Sequence, residues 1–256
     1  MSDWNSTQYL KFKKERTQPA IDLAAKIEYE NPGRIIDIGC GPGNSTAVLK
    51  NRFPKAEILG VDSSQNMIDK ARRDNPQITF KLLDISSEDW QLERDFDIAF
   101  SNACLQWVPD HKSLLPKIMG ILKKGGLMAV QIPFNFKEPV HRIISELIKE
   151  EKWRKKITEP RIFYTLTAED YYDILADISS DFQMWETVYC HRMRSCEDIA
   201  EWYKSTGLKP YLEALSESDK VIFLNDVLER LREHYPLRKN GEIIFRFPRL
   251  FFIAEK

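Results

Sequence analysis

The chain has 256 residues, enough to bury a large hydrophobic core, and its 38 lysine and arginine residues nearly balance 39 aspartate and glutamate residues. A net charge of -1 gives no chain-wide attraction to nucleic-acid phosphates or to anionic lipids, which disfavours both as partners. The four cysteines lack C-x-x-C spacing, and no apolar stretch approaches the roughly 20 residues needed to cross a bilayer. We therefore expect free thiols, no metal site and a soluble cytoplasmic location, with neither nucleic acid nor a membrane as partner.

The amino-terminal part is predicted to be a helical preface to the first strand. Residues 4 to 28 look mostly helical, and Pro19 suits the first turn of a helix. An apolar face is expected from four side chains, namely Ile21, Leu23, Ala24 and Ile27.

From Arg34 to Gln131 short apolar runs alternate with amphipathic stretches, a pattern typical of βαβ units in a parallel sheet. Strands are predicted near 34 to 38, 57 to 61, 78 to 83, 96 to 100 and 126 to 132. Helices are predicted near 44 to 52, 65 to 74 and 112 to 122, the last stopped by Gly125-Gly126. The expected fold class is α/β, with a Rossmann-like, mostly parallel sheet.

After Gln131 helices dominate, near 138 to 151, 167 to 177, 196 to 205 and 217 to 234. Two strands, near 182 to 192 and 242 to 254, are expected to form an antiparallel edge. The organisation predicted is one domain: a preface over 1–30, a cofactor-binding core over 31–135, a helical lid and substrate region over 136–240 and a final strand over 241–256.

A glycine-rich turn follows the first predicted strand and indicates a cofactor site. Gly39, Cys40, Gly41 and Gly43 form a G-x-G-x-G turn that leaves bare backbone for a ligand, and Asp37 precedes it. A dinucleotide fingerprint would read G-x-G-x-x-G. The acidic Asp37 instead favours S-adenosylmethionine, which carries an ammonium group and a sulfonium, although a purely structural tight turn is the alternative.

Further polar residues follow the next strands. Asp62, about 20 residues beyond the turn, is placed to accept hydrogen bonds from ribose hydroxyls. The remaining candidate cofactor residues are Ser63, Met67 against adenine, Asp84 with Ile85 at the adenine amine, and Asn102 after the fourth strand. Met67 is equally well explained as a core residue.

Blocks across nearly the whole chain carry a more particular resemblance. They include residues 37–46, Asp62-Ser63-Ser64, Leu105-Gln106-Trp107 with Pro109-Asp110-His111, Tyr235-Pro236-Leu237 and Phe247-Pro248-Arg249-Leu250-Phe251. The chain resembles class I S-adenosylmethionine-dependent methyltransferases, and most closely the trans-aconitate methyltransferase family. That resemblance implies methyl transfer to a carboxylate of trans-aconitate, giving a monomethyl ester and S-adenosylhomocysteine. The chain departs from the family pattern at 133–136 and 153–165.

Carboxylates are already ionised at neutral pH, so their methylation needs alignment in a water-poor pocket and no general base. We therefore predict no catalytic acid or base. Arg16 and Arg249 are the candidates for carboxylate binding, with surface ion pairs as the alternative, and Trp107 and Tyr164 are the candidate pocket walls. Tyr9 is expected to close over the cofactor.

Three other functions are open at this level. The acceptor could be another small carboxylate or a phenol, such as a malonyl thioester or a quinone precursor, or the chain could bind S-adenosylmethionine without catalysis. Base methylation is disfavoured, because Ser101-Asn102-Ala103-Cys104 stands where nucleic-acid amino-methyltransferases carry an Asn/Asp-Pro-Pro-Tyr/Phe tetrad. Oligomeric state is not predicted.

Overall fold

A computed structural model describes residues 12–87, 90, 92–158, 162–204 and 206–256. Tyr9 and the amino-terminal end of the predicted preface lie outside the described residues. Among those that are described, no helix is both long enough and apolar enough to cross a membrane.

The described strands form one seven-stranded sheet in the order β3-β2-β1-β4-β5-β7-β6. The strands are β1 (Arg34–Ile38), β2 (Glu57–Asp62), β3 (Thr79–Leu82), β4 (Phe96–Asn102), β5 (Leu122–Pro133), β6 (Asp181–Met193) and β7 (Ile243–Glu255). Strands β3, β2, β1, β4 and β5 pair in parallel, so their carboxyl ends meet at one edge. Within β4 the six residues from Phe96 to Ser101 are buried, as expected for a central strand covered on both faces.

Helices connect the parallel strands. They are α2 (Asn44–Arg52), α3 (Gln65–Asp74) and α4 (His111–Gly120), while α1 (Lys13–Ala25) precedes the first strand. Two of them begin at a side-chain cap in the loop after a strand: the Ser64 hydroxyl accepts the Met67 N–H at α3, and the Asp110 carboxylate accepts the Ser113 N–H at α4. The caps place the helix N-termini at the same edge as the strand carboxyl ends.

The remaining helices are α5 (Pro139–Leu147), α6 (Glu151–Arg154), α7 (Ala168–Ile178), α8 (Cys196–Lys204), α9 (Lys209–Glu213) and α10 (Glu217–His234). Strand β7 runs antiparallel to β5: Gly125 N–H donates to Lys256 O at 3.0 Å, while Phe134 N–H donates to Pro248 O at 2.9 Å. Residues later in β5 therefore pair with residues earlier in β7, which is the pattern of an antiparallel pair. The antiparallel edge expected from the sequence is therefore present.

Three details of the sequence reading were wrong. The helix predicted to reach residue 122 ends at Gly120. Gly125 does not stop this helix, because it is a positive-φ residue inside β5. The pairing of β5 with β4 shifts register between Phe96 and Ile98, as at a β-bulge. Pro19 lies inside α1 and not in its first turn. Proline cannot donate a backbone hydrogen bond inside a helix, and the burial of Pro19, Leu23 and Ala24 offsets the stability that is lost. Ile21 faces solvent instead of joining the apolar face, since it is 43% exposed.

The chain divides into two compact units. The first contains the described residues up to Pro133, together with Phe163–Thr187 and Leu250–Lys256. The second contains Phe134–Ile162 and Val188–Arg249. In the first unit, α1 packs on α2 and β5, and α4 packs on α7; in the second, α10 packs on α5 and α8.

Candidate functional site

Asp37, in β1, is a carboxylate with no exposed surface. Its Oδ2 accepts hydrogen bonds from the Ser45 hydroxyl at 2.7 Å and the Thr46 hydroxyl at 2.6 Å. Burial raises the pKa of Asp37 to about 6, against the lowering effect of these two hydroxyls. Its Oδ1 is buried and has no hydrogen-bond partner among the described residues. A buried carboxylate oxygen of this kind suits a bound cation.

The glycine turn lies directly after Asp37. The N–H groups of Gly39 and Cys40 both donate to Val61 O, at 2.8 and 3.0 Å, which ties the turn to β2. A Cβ on Gly39 would lie 2.1 Å from the Cys104 Sγ, so only glycine fits there. Gly41 has φ of 54°, and a Cβ on it would meet nothing within 4 Å. The backbone in front of Gly41 is therefore open to a ligand, while Gly43 caps α2.

Asp62, at the end of β2, is held in place by backbone donors. Its Oδ2 accepts the Gly41 N–H at 2.9 Å and its Oδ1 accepts the Ser64 N–H at 2.9 Å. A carboxylate oxygen can accept more than one hydrogen bond, so this acid is chemically suited to ligand hydroxyls as well. The Asp62 carboxylate is thus hydrogen-bonded to the glycine turn, and its role in binding ribose stays a prediction.

The other predicted cofactor residues have different environments. Met67 and Ile85 are buried, whereas Ser63 and Asp84 are exposed. The Asp84 carboxylate accepts the N–H and the hydroxyl of Ser86, at 2.9 and 2.7 Å. This arrangement leaves an exposed acid beyond β3 at the same edge as Asp62.

Two side-chain amides, one on the last residue of β4 and one in the turn that follows, have buried oxygen atoms. Ala103 has φ of 54°. Its N–H donates to Gln131 O at 2.9 Å, and its carbonyl oxygen accepts a hydrogen bond from the Gln106 side-chain amide at 2.7 Å. The Asn102 Oδ1 and the Gln106 Oε1 are buried and accept no hydrogen bond from the part of the chain that the structure describes. The turn therefore offers acceptor oxygens, besides that of Asp37, for a ligand at the edge where β1, β2 and β4 end.

These features fit the S-adenosylmethionine predicted from the sequence. Asp37 offers a buried oxygen to a cationic group, the face of Gly41 is open, and Asp62 presents carboxylate oxygens for hydroxyls. The roles of the individual residues remain predictions.

Comparison with known proteins identifies the family. A family profile described as a methyltransferase domain matches residues 35–126. A protein of Shigella dysenteriae serotype 1 named trans-aconitate 2-methyltransferase is 43% identical over 256 residues, covering 100% of this chain and 99% of that protein. The chain belongs to the trans-aconitate 2-methyltransferase family. The resemblance predicted from the sequence blocks is confirmed.

Solved structures share the fold of this trans-aconitate 2-methyltransferase family member. The YcgJ protein of Bacillus subtilis superposes with a TM-score of 0.60 at 15% identity, covering 93% of this chain and 98% of that one. A Haemonchus contortus phosphoethanolamine N-methyltransferase bound to S-adenosylhomocysteine superposes with a TM-score of 0.56 at 17% identity, covering 93% and 52%. At these identities the likeness concerns the fold alone, and the predicted Rossmann-like class is confirmed.

The residues predicted to bind the acceptor fall in both units. The segments that carry Trp107 and Tyr164 meet in the first unit: Tyr164 N–H donates to Gln106 O at 3.0 Å, and the Trp107 ring lies 4.9 Å from that of Phe163. Arg16, on α1 of the same unit, is 7% exposed. Arg249 belongs to the second unit, is 3% exposed, and places its guanidinium 4.5 Å from the Phe247 ring centre. Neither arginine is therefore a solvated surface residue.

Several residues that the chemistry calls for were not foreseen from sequence. Ser45 and Thr46 orient Asp37, and Gln106 supports the turn after β4. Two hydroxyl residues immediately after the glycine turn were the available signal for the first pair. The basic run 152–156 is engaged in surface pairs, in which Lys152 contacts Asp226 and Lys156 contacts Asp219.

Proposed function

We propose that this chain transfers a methyl group from S-adenosylmethionine to a carboxylate of trans-aconitate, giving a monomethyl ester and S-adenosylhomocysteine. The observation that carries the proposal is the 43% identity, over the full length, to proteins named trans-aconitate 2-methyltransferase. The sulfonium supplies an electrophilic methyl group, and the acceptor carboxylate supplies the nucleophilic oxygen.

The first unit supplies the cofactor residues in this proposal. The free oxygen of Asp37 receives the ammonium group, and Asp62 receives the ribose hydroxyls. Backbone of the turn lies against the cofactor at Gly39, Cys40, Gly41 and Gly43. The adenine and sulfonium surroundings are assigned to Ser63, Met67, Asp84, Ile85 and Asn102, and Tyr9, outside the described residues, is assigned to closing the site.

The acceptor needs orientation and charge compensation. A carboxylate is ionised at neutral pH, so no residue has to remove a proton before the methyl group moves. Arg16 and Arg249 are assigned to acceptor carboxylates, because the planar guanidinium donates two parallel hydrogen bonds. Trp107 and Tyr164 are assigned to excluding water around the reacting oxygen. We also propose that the two units act as one methyltransferase domain in the cytoplasm.

A radiolabelled methyl-transfer assay with competing acceptors tests the function. Trans-aconitate, cis-aconitate, isocitrate and a malonyl thioester are offered at equal concentration, and we expect trans-aconitate to be esterified with the highest kcat/KM. Turnover of another acid without transfer to trans-aconitate would contradict the acceptor. Binding of S-adenosylmethionine without transfer to any of the four would contradict catalysis on these acids.

Asp62→Ala tests the cofactor part of the proposal. This variant loses the carboxylate that holds the Gly41 N–H and is proposed to bind ribose. We expect S-adenosylmethionine affinity to fall by about tenfold or more, since hydrogen bonds to a charged group contribute about 1.5–3 kcal/mol. Calorimetry measures the affinity and circular dichroism checks the fold. Unchanged affinity would show that the ribose lies elsewhere.

A further inference from the structure

A buried hydrogen-bond chain links helices α4 and α7 of the first unit. His111, the first residue of α4, is 1% exposed. Its Nε2 lies 2.8 Å from Leu105 O and its Nδ1 lies 2.6 Å from the Tyr171 hydroxyl of α7. The Leu166 N–H points to the same hydroxyl at 3.4 Å. One imidazole and one phenol thus connect two loop segments about 60 residues apart.

The direction of each bond follows from chemistry. A carbonyl oxygen can only accept, so the His111 Nε2 carries the proton and donates to Leu105 O. Burial lowers the pKa of His111 and keeps the ring neutral, so Nδ1 is an acceptor and the Tyr171 O–H donates to it. The hydroxyl oxygen in turn accepts the Leu166 N–H. Each polar side-chain atom of this hydrogen-bond chain therefore has a partner, and its role as donor or acceptor is fixed.

The chain joins the two segments that carry the predicted acceptor walls. Leu105 lies two residues before Trp107, and Leu166 lies two residues after Tyr164. The same segments also meet through the Tyr164 N–H bond to Gln106 O and through the rings of Trp107 and Phe163. These connections help to hold the two segments together, and the His111–Tyr171 bond is one that buried polar side chains make.

We propose that His111 and Tyr171 are positioning residues that set the placement of Trp107 and Tyr164 for the acceptor, an inference that rests on the proposed function. A buried polar pair contributes only modest net stability compared with apolar groups of the same shape, but it allows a single geometry. Misplacement of reacting groups by about 1 Å costs about a hundredfold in rate. The pair acts through Leu105 and Leu166 and does not itself contact the acceptor.

Tyr171→Phe tests the proposal, because it removes the hydroxyl and keeps the ring contacts with His111 and Phe252. We expect kcat/KM for the acceptor to fall about tenfold, because Trp107 and Tyr164 lose the bond that sets their placement. S-adenosylmethionine affinity should stay within about twofold of the parent chain. The matched control is Tyr172→Phe, because Tyr172 is 55% exposed and adjacent in α7, and this variant should change neither constant.

A double-mutant cycle with His111→Gln extends the test. If both side chains act through one bond, the double variant should lose no more acceptor kcat/KM than the worse single variant. Unchanged acceptor kinetics in Tyr171→Phe, additive losses in the cycle, or cofactor affinity lost in parallel with turnover would overturn the proposal. The assay uses the acid that the unmodified chain methylates best. Turnover of an acid other than trans-aconitate would therefore correct the proposed acceptor and leave the positioning test intact.

Discussion

At the scale of single residues, Asp37 determines how the cofactor site responds to pH. Its pKa is raised from 3.8 to about 6, chiefly by burial and further by the nearby Asp62 charge. The folded, cofactor-free chain therefore binds this proton more tightly than the unfolded chain does. The stability contributed by protonated Asp37 is fully present below about pH 4 and is lost as the pH rises through about 6. At pH 7 the ionised carboxylate is a cost to the free protein, offset when a cation binds.

The pH dependence of cofactor binding tests this account. Because an ammonium group pairs with the ionised form, S-adenosylmethionine affinity should fall as the pH drops below about 6, approaching tenfold per pH unit. Asp37→Asn should bind the cofactor at least tenfold more weakly at pH 7 and show no such fall. Without cofactor, its Tm at pH 7 should equal or exceed that of the parent chain. Calorimetry from pH 5 to 8 and thermal unfolding measure both; an Asn variant with the parental pH profile would exclude Asp37 as the cation partner.

At the scale of elements, the N-terminus of α7 anchors Tyr171. The Thr167 hydroxyl accepts the Asp170 N–H at 3.1 Å, and the Asp170 carboxylate accepts the Thr167 N–H at 3.3 Å, forming a capping box. Thr167→Ala should lower the free energy of unfolding by about 1 kcal/mol, whereas Thr167→Asn should keep most of it. Urea unfolding followed by circular dichroism measures the difference. Equal losses in both variants would mean that the hydroxyl cap does not stabilise α7.

The sequence predicted the elements whose signals are local. The apolar runs of β1 and β2 and the amphipathic stretches after them located the first two βα units almost to the residue. Gly125 was misleading, because positive φ serves a β-bulge as well as it serves a helix end. The positions of Asp37 and Asp62 near the ends of β1 and β2 could be predicted because strand ends are marked in the sequence, whereas their binding roles stay predictions. The His111–Tyr171 bond was not found, since it joins residues 60 positions apart through tertiary packing.

At the scale of the whole molecule, the near-neutral net charge includes two arginines that are buried among the described residues. The chain balances 38 basic against 39 acidic residues, and many of these charges are engaged in exposed ion pairs. Such pairs contribute little to stability or to selectivity for a ligand. Arg16 in the first unit and Arg249 in the second are instead buried. A buried guanidinium has to be held by specific contacts, which distinguishes both arginines from the exposed basic residues.

Glutamine substitutions at the two positions test their proposed role separately. If Arg16 and Arg249 bind acceptor carboxylates, Arg16→Gln and Arg249→Gln should each raise KM for trans-aconitate about tenfold or more, because a charge-assisted hydrogen bond contributes about 1.5–3 kcal/mol. The controls are Lys14→Gln, exposed on the same helix as Arg16, and Arg246→Gln, whose side chain is 59% exposed on the same strand as Arg249. Steady-state kinetics give KM, calorimetry gives cofactor affinity, and thermal unfolding identifies variants that are merely destabilised. A folded Arg249→Gln variant with parental KM would assign that arginine to the aromatic packing of Phe247 and Tyr189 alone.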